Sequence, residues 1–93
     1  MSTVKFVKLN SDAIVPTYGT DCAAGADLYA LPNDAVAIKP NETVLIHTGI
    51  AMQIPDGYAG FIFARSGIAT KRGLAPANKV GVIDSDYRGE IQI

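Results

Sequence analysis

Thr43-Val44-Leu45-Ile46-His47-Thr48-Gly49-Ile50-Ala51-Met52-Gln53-Ile54-Pro55-Asp56-Gly57-Tyr58-Ala59-Gly60-Phe61-Ile62-Phe63-Ala64-Arg65 is the stretch whose reading decides the fold. Val44, Ile46 and Thr48 alternate with Leu45 and His47, the period-two pattern of a strand. After Gly49, Ile50–Ile54 reads as a second strand. Pro55-Asp56-Gly57 is a hairpin signal. Tyr58–Arg65 follows as a third strand, with Phe61, Phe63 and Arg65 on one face. Outward from this stretch, Val4–Leu9, Asp27–Leu31, Val36–Ile38, Val80–Ile83 and Glu90–Ile93 are further strand candidates. Pro32-Asn33-Asp34 and Pro40-Asn41-Glu42 read as turns. Many short strands punctuated by Gly and Pro predict an all-β barrel or sandwich. One helix is predicted, Ser66–Arg72, with Ser66 as N-cap and Gly73 as the residue that stops it.

The chain has 93 residues, 48% of them hydrophobic and 18% charged, which suits one globular domain spanning residues 1–93. So short a chain buries a modest fraction of its surface alone, so oligomerisation or a further segment is expected. Glu90-Ile91-Gln92-Ile93 begins a strand at the very end of the sequence, and the domain is expected to be incomplete at its C-terminus. Eight Lys and Arg against nine Asp and Glu give a net charge of −1. That excludes coating nucleic acid through bulk charge. A single cysteine, Cys22, excludes an internal disulfide framework and fits a reducing compartment. It reads as a small packed residue, and the lone His47 reads as structural. No apolar run is long enough for a membrane span, and the N-terminus has no signal-peptide pattern. The expectation is a soluble cytoplasmic domain with no membrane partner.

Charge is unevenly placed. Residues 57–83 carry Arg65, Lys71, Arg72 and Lys79 and no acid. Arg65 stands directly before Ser66-Gly67, so a guanidinium, a hydroxyl and backbone N–H groups gather where phosphate oxygens could be held. The same spacing also fits a strand-to-helix connection with a solvated Arg. In Gly81-Val82-Ile83-Asp84-Ser85-Asp86-Tyr87-Arg88-Gly89-Glu90 an apolar strand ends in a carboxylate, followed by a turn with a second carboxylate, a ring and an Arg. Asp84 could orient a water, and Tyr87 could stack on a base or sugar. A plain polar β-turn fits as well. In Ala23-Ala24-Gly25-Ala26-Asp27-Leu28-Tyr29-Ala30, Asp27 could reach Mg²⁺ through water, or simply open a strand.

Taken together, Ala24–Leu28, Ala64–Ala69 and Gly81–Glu90 resemble the first three motifs of the trimeric dUTP diphosphatase (dUTPase) family, in order and across essentially the whole chain. Asn78 stands where that family has an Asn ahead of its third motif. Ala64 replaces the usual Pro and Ile68 the usual Leu. The family's fourth motif and its Gly-rich C-terminal arm have no counterpart in these 93 residues.

The resemblance implies a distorted jelly-roll or β-barrel (β-clip) fold and a homotrimer with sites at subunit interfaces. It implies hydrolysis of dUTP to dUMP and diphosphate by in-line water attack on the α-phosphorus. Arg65, Ser66 and Gly67 would hold phosphate oxygens, and Asp84 would orient the water and contact the 3′-hydroxyl. Tyr87 would pack under the sugar and reject ribose. Asn78 and the backbone of Val82, Ile83 and Asp84 would read uracil, with Gln92 lining the same pocket. Mg²⁺ would bridge the phosphates, with Asp27 reaching it through water. Asp86 and Arg88 would brace the turn by pairing locally. Two other readings stay open: a truncated homologue that binds dUTP without turnover, and a dCTP deaminase.

Overall fold

The computed structural model describes residues 2–32 and 35–93, so the predicted turn at Pro32-Asn33-Asp34 lies partly outside the described residues. Its elements in chain order are β1 (Lys5–Lys8), β2 (His47–Gln53), β3 (Gly60–Ile62), α1 (Ser66–Arg72), β4 (Gly81–Ile83) and β5 (Glu90–Gln92). One antiparallel sheet has the order β1-β2-β5, and a second pairs β3 with β4. The protein is thus mostly β with one short helix, as predicted, and its two sheets do not close into a barrel. Among the described residues no helix is long and apolar enough to cross a membrane.

β2 is the centre of the larger sheet. Its predicted break at Gly49 is instead a bulge within one continuous strand. His47 faces Gln92 and Ala51 faces Glu90, so four steps along β2 match two along β5. Gly49 takes φ 68°, and a Cβ there would stand 2.8 Å from Leu31 Cδ2 and 3.0 Å from Ala13 Cβ. Only a residue without a side chain meets both conditions. The polar groups that a bulge strands are all partnered. The Thr48 hydroxyl donates to the Ile91 carbonyl at 2.6 Å and accepts from the Ile50 N–H at 3.2 Å. The Gly49 carbonyl accepts from Leu9 N–H, and its own N–H meets the Glu90 carboxylate. Thr48 is buried without penalty because both of its hydrogen-bonding roles are used.

The core is small. Ile54, Ile83 and Ile91 form its centre, with Leu28, Met52, Ile62 and Ile93 packed around them. Gly60 lets the sheets meet, since a Cβ there would lie 2.8 Å from Ile54 Cδ1 and 3.2 Å from Ile83 Cβ. Many large apolar side chains stay exposed, including Phe61, Phe63, Val82 and Leu45. The accessible surface is 7136 Å², against about 5,200 Å² for a compact monomer of this mass.

Several strand expectations are corrected. Asp27–Leu31 is not a strand; it makes a single bridge, Thr17 to Asp27, and one bond from Leu31 N–H to the His47 carbonyl. Val36–Ile38 pairs with nothing as a strand, and of Thr43–Ile46 only Ile46 pairs, exchanging backbone bonds with Ile93 at 2.7 and 2.9 Å just ahead of β2. Pro55-Asp56-Gly57 does form a turn, with Tyr58 N–H on the Pro55 carbonyl and Gly57 at φ 86°. It is not a hairpin, because the strands on either side enter different sheets. Helix α1 begins at Ser66, not after it. Arg65 is the N-cap, in extended conformation and with no side-chain cap, while Gly73 ends the helix at φ 66° as predicted. Cys22 is exposed rather than packed.

Candidate functional site

The first predicted group comes together around Arg65. Its Nη1 lies 3.3 Å from Asp27 Oδ2, so the first and second motifs meet in an ion pair. Asp27 is placed by reciprocal backbone bonds with Thr17. Arg65 keeps two-thirds of its side chain exposed, so the pair is screened and leaves most guanidinium donors available. Ser66 and Gly67 follow on the exposed first turn of α1, and nothing lies within 4 Å of a Cβ built on Gly67. An open, largely apolar cleft of about 800 Å³ runs past Asp27, Phe63, Arg65, Ile68, Leu74 and Ile93.

This cleft continues past Ile62 and Ile93 into a hollow of about 440 Å³ that Asn78, Gly81 and Gln92 line. The chain enters that end through two successive turns. Lys79 N–H bonds the Pro76 carbonyl, and Val80 N–H bonds the Asn78 carbonyl at 2.7 Å. The second is a three-residue turn centred on Lys79 at φ 68°, a strained conformation for a residue with a side chain. It holds the Asn78 amide beside Gly81.

The turn after β4 is the best-defined part. Tyr87 N–H closes it on the Asp84 carbonyl at 3.1 Å. The Tyr87 hydroxyl donates to the Glu90 carbonyl at 2.8 Å, and the ring lies against Gly89, where a Cβ would fall 2.5 Å from the hydroxyl oxygen. Arg88 Nη1 donates to the Ser85 and Tyr87 carbonyls at 2.6 and 3.1 Å. Arg88 therefore braces the turn through carbonyls, not by pairing with Asp86 as expected. Asp84 is exposed and belongs to neither ion pair found among the described residues. Val82 is exposed and Ile83 buried.

These groups do not form one pocket within a single chain. In the β3–β4 register Ile62 faces Gly81 and Gly60 faces Ile83. Arg65 thus lies beyond one end of the ladder and Asp84 beyond the other, about six strand residues or roughly 20 Å apart. Asp27, Arg65, Ser66 and Gly67 fall at one end with Asn78, while Asp84 and Tyr87 fall at the other.

The contacts joining His47, Gln92 and Glu90 escaped the sequence reading. His47 Nδ1 lies 2.8 Å from Glu90 Oε1, and Gln92 Nε2 lies 3.1 Å from the same oxygen. Glu90 Oε2 takes the Gly49 N–H at 2.9 Å. The His47 bond, then Gln92 and the Gly49 amide, lower the Glu90 carboxyl below its ordinary value of 4.5. The Glu90 partner of His47 lies 43 positions away, beyond any local pattern. Gln92 lines the hollow with Asn78 and also spends its amide on Glu90.

Among the described residues no group of three or more His, Cys, Asp or Glu could hold a metal ion. The one carboxylate beside Arg65 fits a cation that keeps its waters and takes its remaining ligands from phosphate.

The family model described as dUTPase matches residues 11–93. The deoxyuridine 5'-triphosphate nucleotidohydrolase of Hydrogenobaculum sp. is 49% identical over 86 residues, covering 92% of this chain and 59% of its own length. That of Syntrophotalea carbinolica is 46% identical over 91 residues, covering 98% and 62%. The chain therefore spans about three-fifths of these curated relatives. The dUTPase of Staphylococcus bacteriophage 80alpha, solved with dUpNHpp, superposes with a TM-score of 0.83 at 28% identity, covering 99% of this chain and 52% of that one. A mutant dUTPase from phage phi11 of S. aureus, whose structure reveals the coordination of a structural Mg(II) ion, superposes at 0.81 and 29% identity, covering 97% and 56%. With its three motifs in order and this match over most of its length, the chain belongs to the dUTPase family.

Proposed function

We propose that this chain is a single domain that carries the larger part of a site hydrolysing dUTP to dUMP and diphosphate. Arg65, Ser66 and Gly67 hold phosphate oxygens. The exposed guanidinium and the open space over Gly67 support this. Asn78, which borders the hollow with Gln92, and the backbone of Val82, Ile83 and Asp84, which leads from that end of the ladder to the other, read the uracil edge. Asp84 orients the water that attacks the α-phosphorus in line; it is exposed and its carboxylate is not spent on an ion pair. Tyr87 packs under the deoxyribose, where a 2′-hydroxyl would clash. Mg²⁺, reached by Asp27 through water, would neutralise charge on the phosphates when bound.

The observation that carries this reading is the Asp84–Tyr87 turn, closed at 3.1 Å and tied at 2.8 Å to Glu90. The separation of Arg65 from Asp84 supports a homotrimer in which neighbouring copies complete each site. The exposed row of Phe61, Phe63 and Val82 offers apolar surface for such contacts. The protein works on the cytoplasmic nucleotide pool, with no role for nucleic acid or a membrane.

Diphosphate release and dUTP affinity of this chain and its Asp84→Asn variant test the proposal. Release by the parent, reduced by about 10²–10⁴-fold in the variant, is the expected result. Equal turnover by the variant would reject the role of Asp84. Binding without release would favour a non-catalytic dUTP-binding homologue, and ammonia release from dCTP would favour a deaminase.

A further inference from the structure

Glu90 is anchored on two sides. Its carboxylate accepts from the Gly49 N–H at 2.9 Å, from Gln92 Nε2 at 3.1 Å and from His47 Nδ1 at 2.8 Å. An ionised carboxylate can only accept, so Nδ1 is the nitrogen of His47 that carries the proton. These bonds span the bulge of β2 at the point where its register with β5 shifts. The main-chain carbonyl of the same residue accepts the Tyr87 hydroxyl at 2.8 Å. That is the ring's polar anchor. Beneath it lies Gly89, where a Cβ would meet the ring at 2.5–3.1 Å. The Tyr87 N–H in turn holds the Asp84 carbonyl.

We propose that Glu90 is a positioning residue: its carboxylate, locked into the bulge of β2, fixes the carbonyl that holds the Tyr87 ring in the orientation that sets the choice between deoxyribose and ribose. The sugar-choice half of this statement rests on reading the site as one for dUTP. The ring-orientation half does not. Residue and ring act through one chain of contacts running from Gly49 and His47 through Glu90 to Tyr87. Gly89 contributes by having no side chain to push the ring away.

The test uses the full 93-residue chain and the ratio of kcat/KM for dUTP to that for UTP. Tyr87→Phe keeps the ring and removes its tie. Glu90→Ala removes the anchorage, and Glu90→Gln keeps an acceptor for the Gly49 N–H. The ratio is expected to fall about tenfold in Tyr87→Phe and in Glu90→Ala, and to stay within about threefold of the parent in Glu90→Gln. The double variant Tyr87→Phe/Glu90→Ala is expected to be no worse than either single change, because both cut one linkage. A loss shared equally by both nucleotides, or a double variant equal to the product of the singles, overturns the proposal. Should Glu90→Ala fail to fold, His47→Ala, which removes a partner of the carboxylate from an exposed position, is expected to lower the ratio in its place, and an unchanged ratio there overturns the proposal. Ring resonances of Tyr87 in the nucleotide-free chain provide a second readout. They are expected to shift in Glu90→Ala and to stay near the parent's in Glu90→Gln, and resonances unchanged in Glu90→Ala would overturn the linkage whatever the chain does with nucleotides. A parent chain that turns over neither nucleotide would defeat the dUTP reading and the sugar-choice half with it, leaving ring orientation to be decided by the resonances.

Discussion

The bulge of β2 with β5 and the cleft around Arg65 are built on opposite plans. At the bulge, the Thr48 hydroxyl, the Gly49 amide and the Glu90 carboxylate are all partnered, and Gly49 sits in contact with Leu31 and Ala13. At the cleft, Arg65 makes one ion pair at 3.3 Å, α1 buries no residue, and Gly67 has empty space over it. The difference teaches which half of the site is set before a ligand arrives. Tyr87 and Asp84 hang from the fully partnered junction, whereas the half proposed to hold phosphate is exposed and tied by a single ion pair.

Paired glycine substitutions give the sharpest way to break this contrast. Gly49→Ala combines a positive φ with contacts at 2.8 and 3.0 Å, and should lower unfolding free energy by about 3 kcal/mol, read by denaturant titration. Gly67→Ala meets no atom and lies in a helix, so it should leave stability unchanged or raise it by about 0.5–1 kcal/mol. Its effect should appear instead as weaker dUTP binding in calorimetry. Equal destabilisation by the two would erase the distinction.

Acid should act on the junction. Glu90 is held below its ordinary value of 4.5, first by His47 and then by Gln92 and Gly49. A carboxyl lowered by folding stabilises the native state above that value, and the contribution is lost as pH falls through the folded one. Thermal midpoints of the parent should exceed those of Glu90→Gln at neutral pH and converge with them as pH falls below 4.5 through the lowered folded value. A gap independent of pH would show that the carboxylate's charge contributes nothing. The smallest effect is expected at the cleft: Asp27→Asn, removing an exposed pair, should cost no more than about 0.5 kcal/mol. Its mark should be a higher Mg²⁺ requirement in the dUTP assay, with the melting curve unmoved.

What the sequence made legible follows the range of each interaction. The turn from Asp84 to Tyr87 could be read because its donors and acceptors lie within a few residues of one another, as they do at Pro55–Gly57 and at the Gly73 helix stop. The bulge could not, because Gly49 is explained by Leu31, Ala13 and a Glu90 that lies 41 positions away. Asp27–Leu31 reads as a strand candidate, yet a strand needs a ladder partner, and among the described residues the segment has one bridge, to Thr17, and one backbone bond, from Leu31 to His47. The hairpin expected after Gln53 failed for a related reason. A local turn fixes the chain's reversal but does not choose which strand will lie alongside. Of the candidate site, residue types were legible through the three motifs, whereas their placement at two ends of the β3–β4 ladder required the register.

That register has a consequence for anyone assaying the protein. With Arg65 and Asp84 at opposite ends of a short ladder, the proposed site, finished by a neighbouring copy, would make turnover a matter of mass action. Specific activity would then depend on protein concentration, and dilution would act on it as a substitution does.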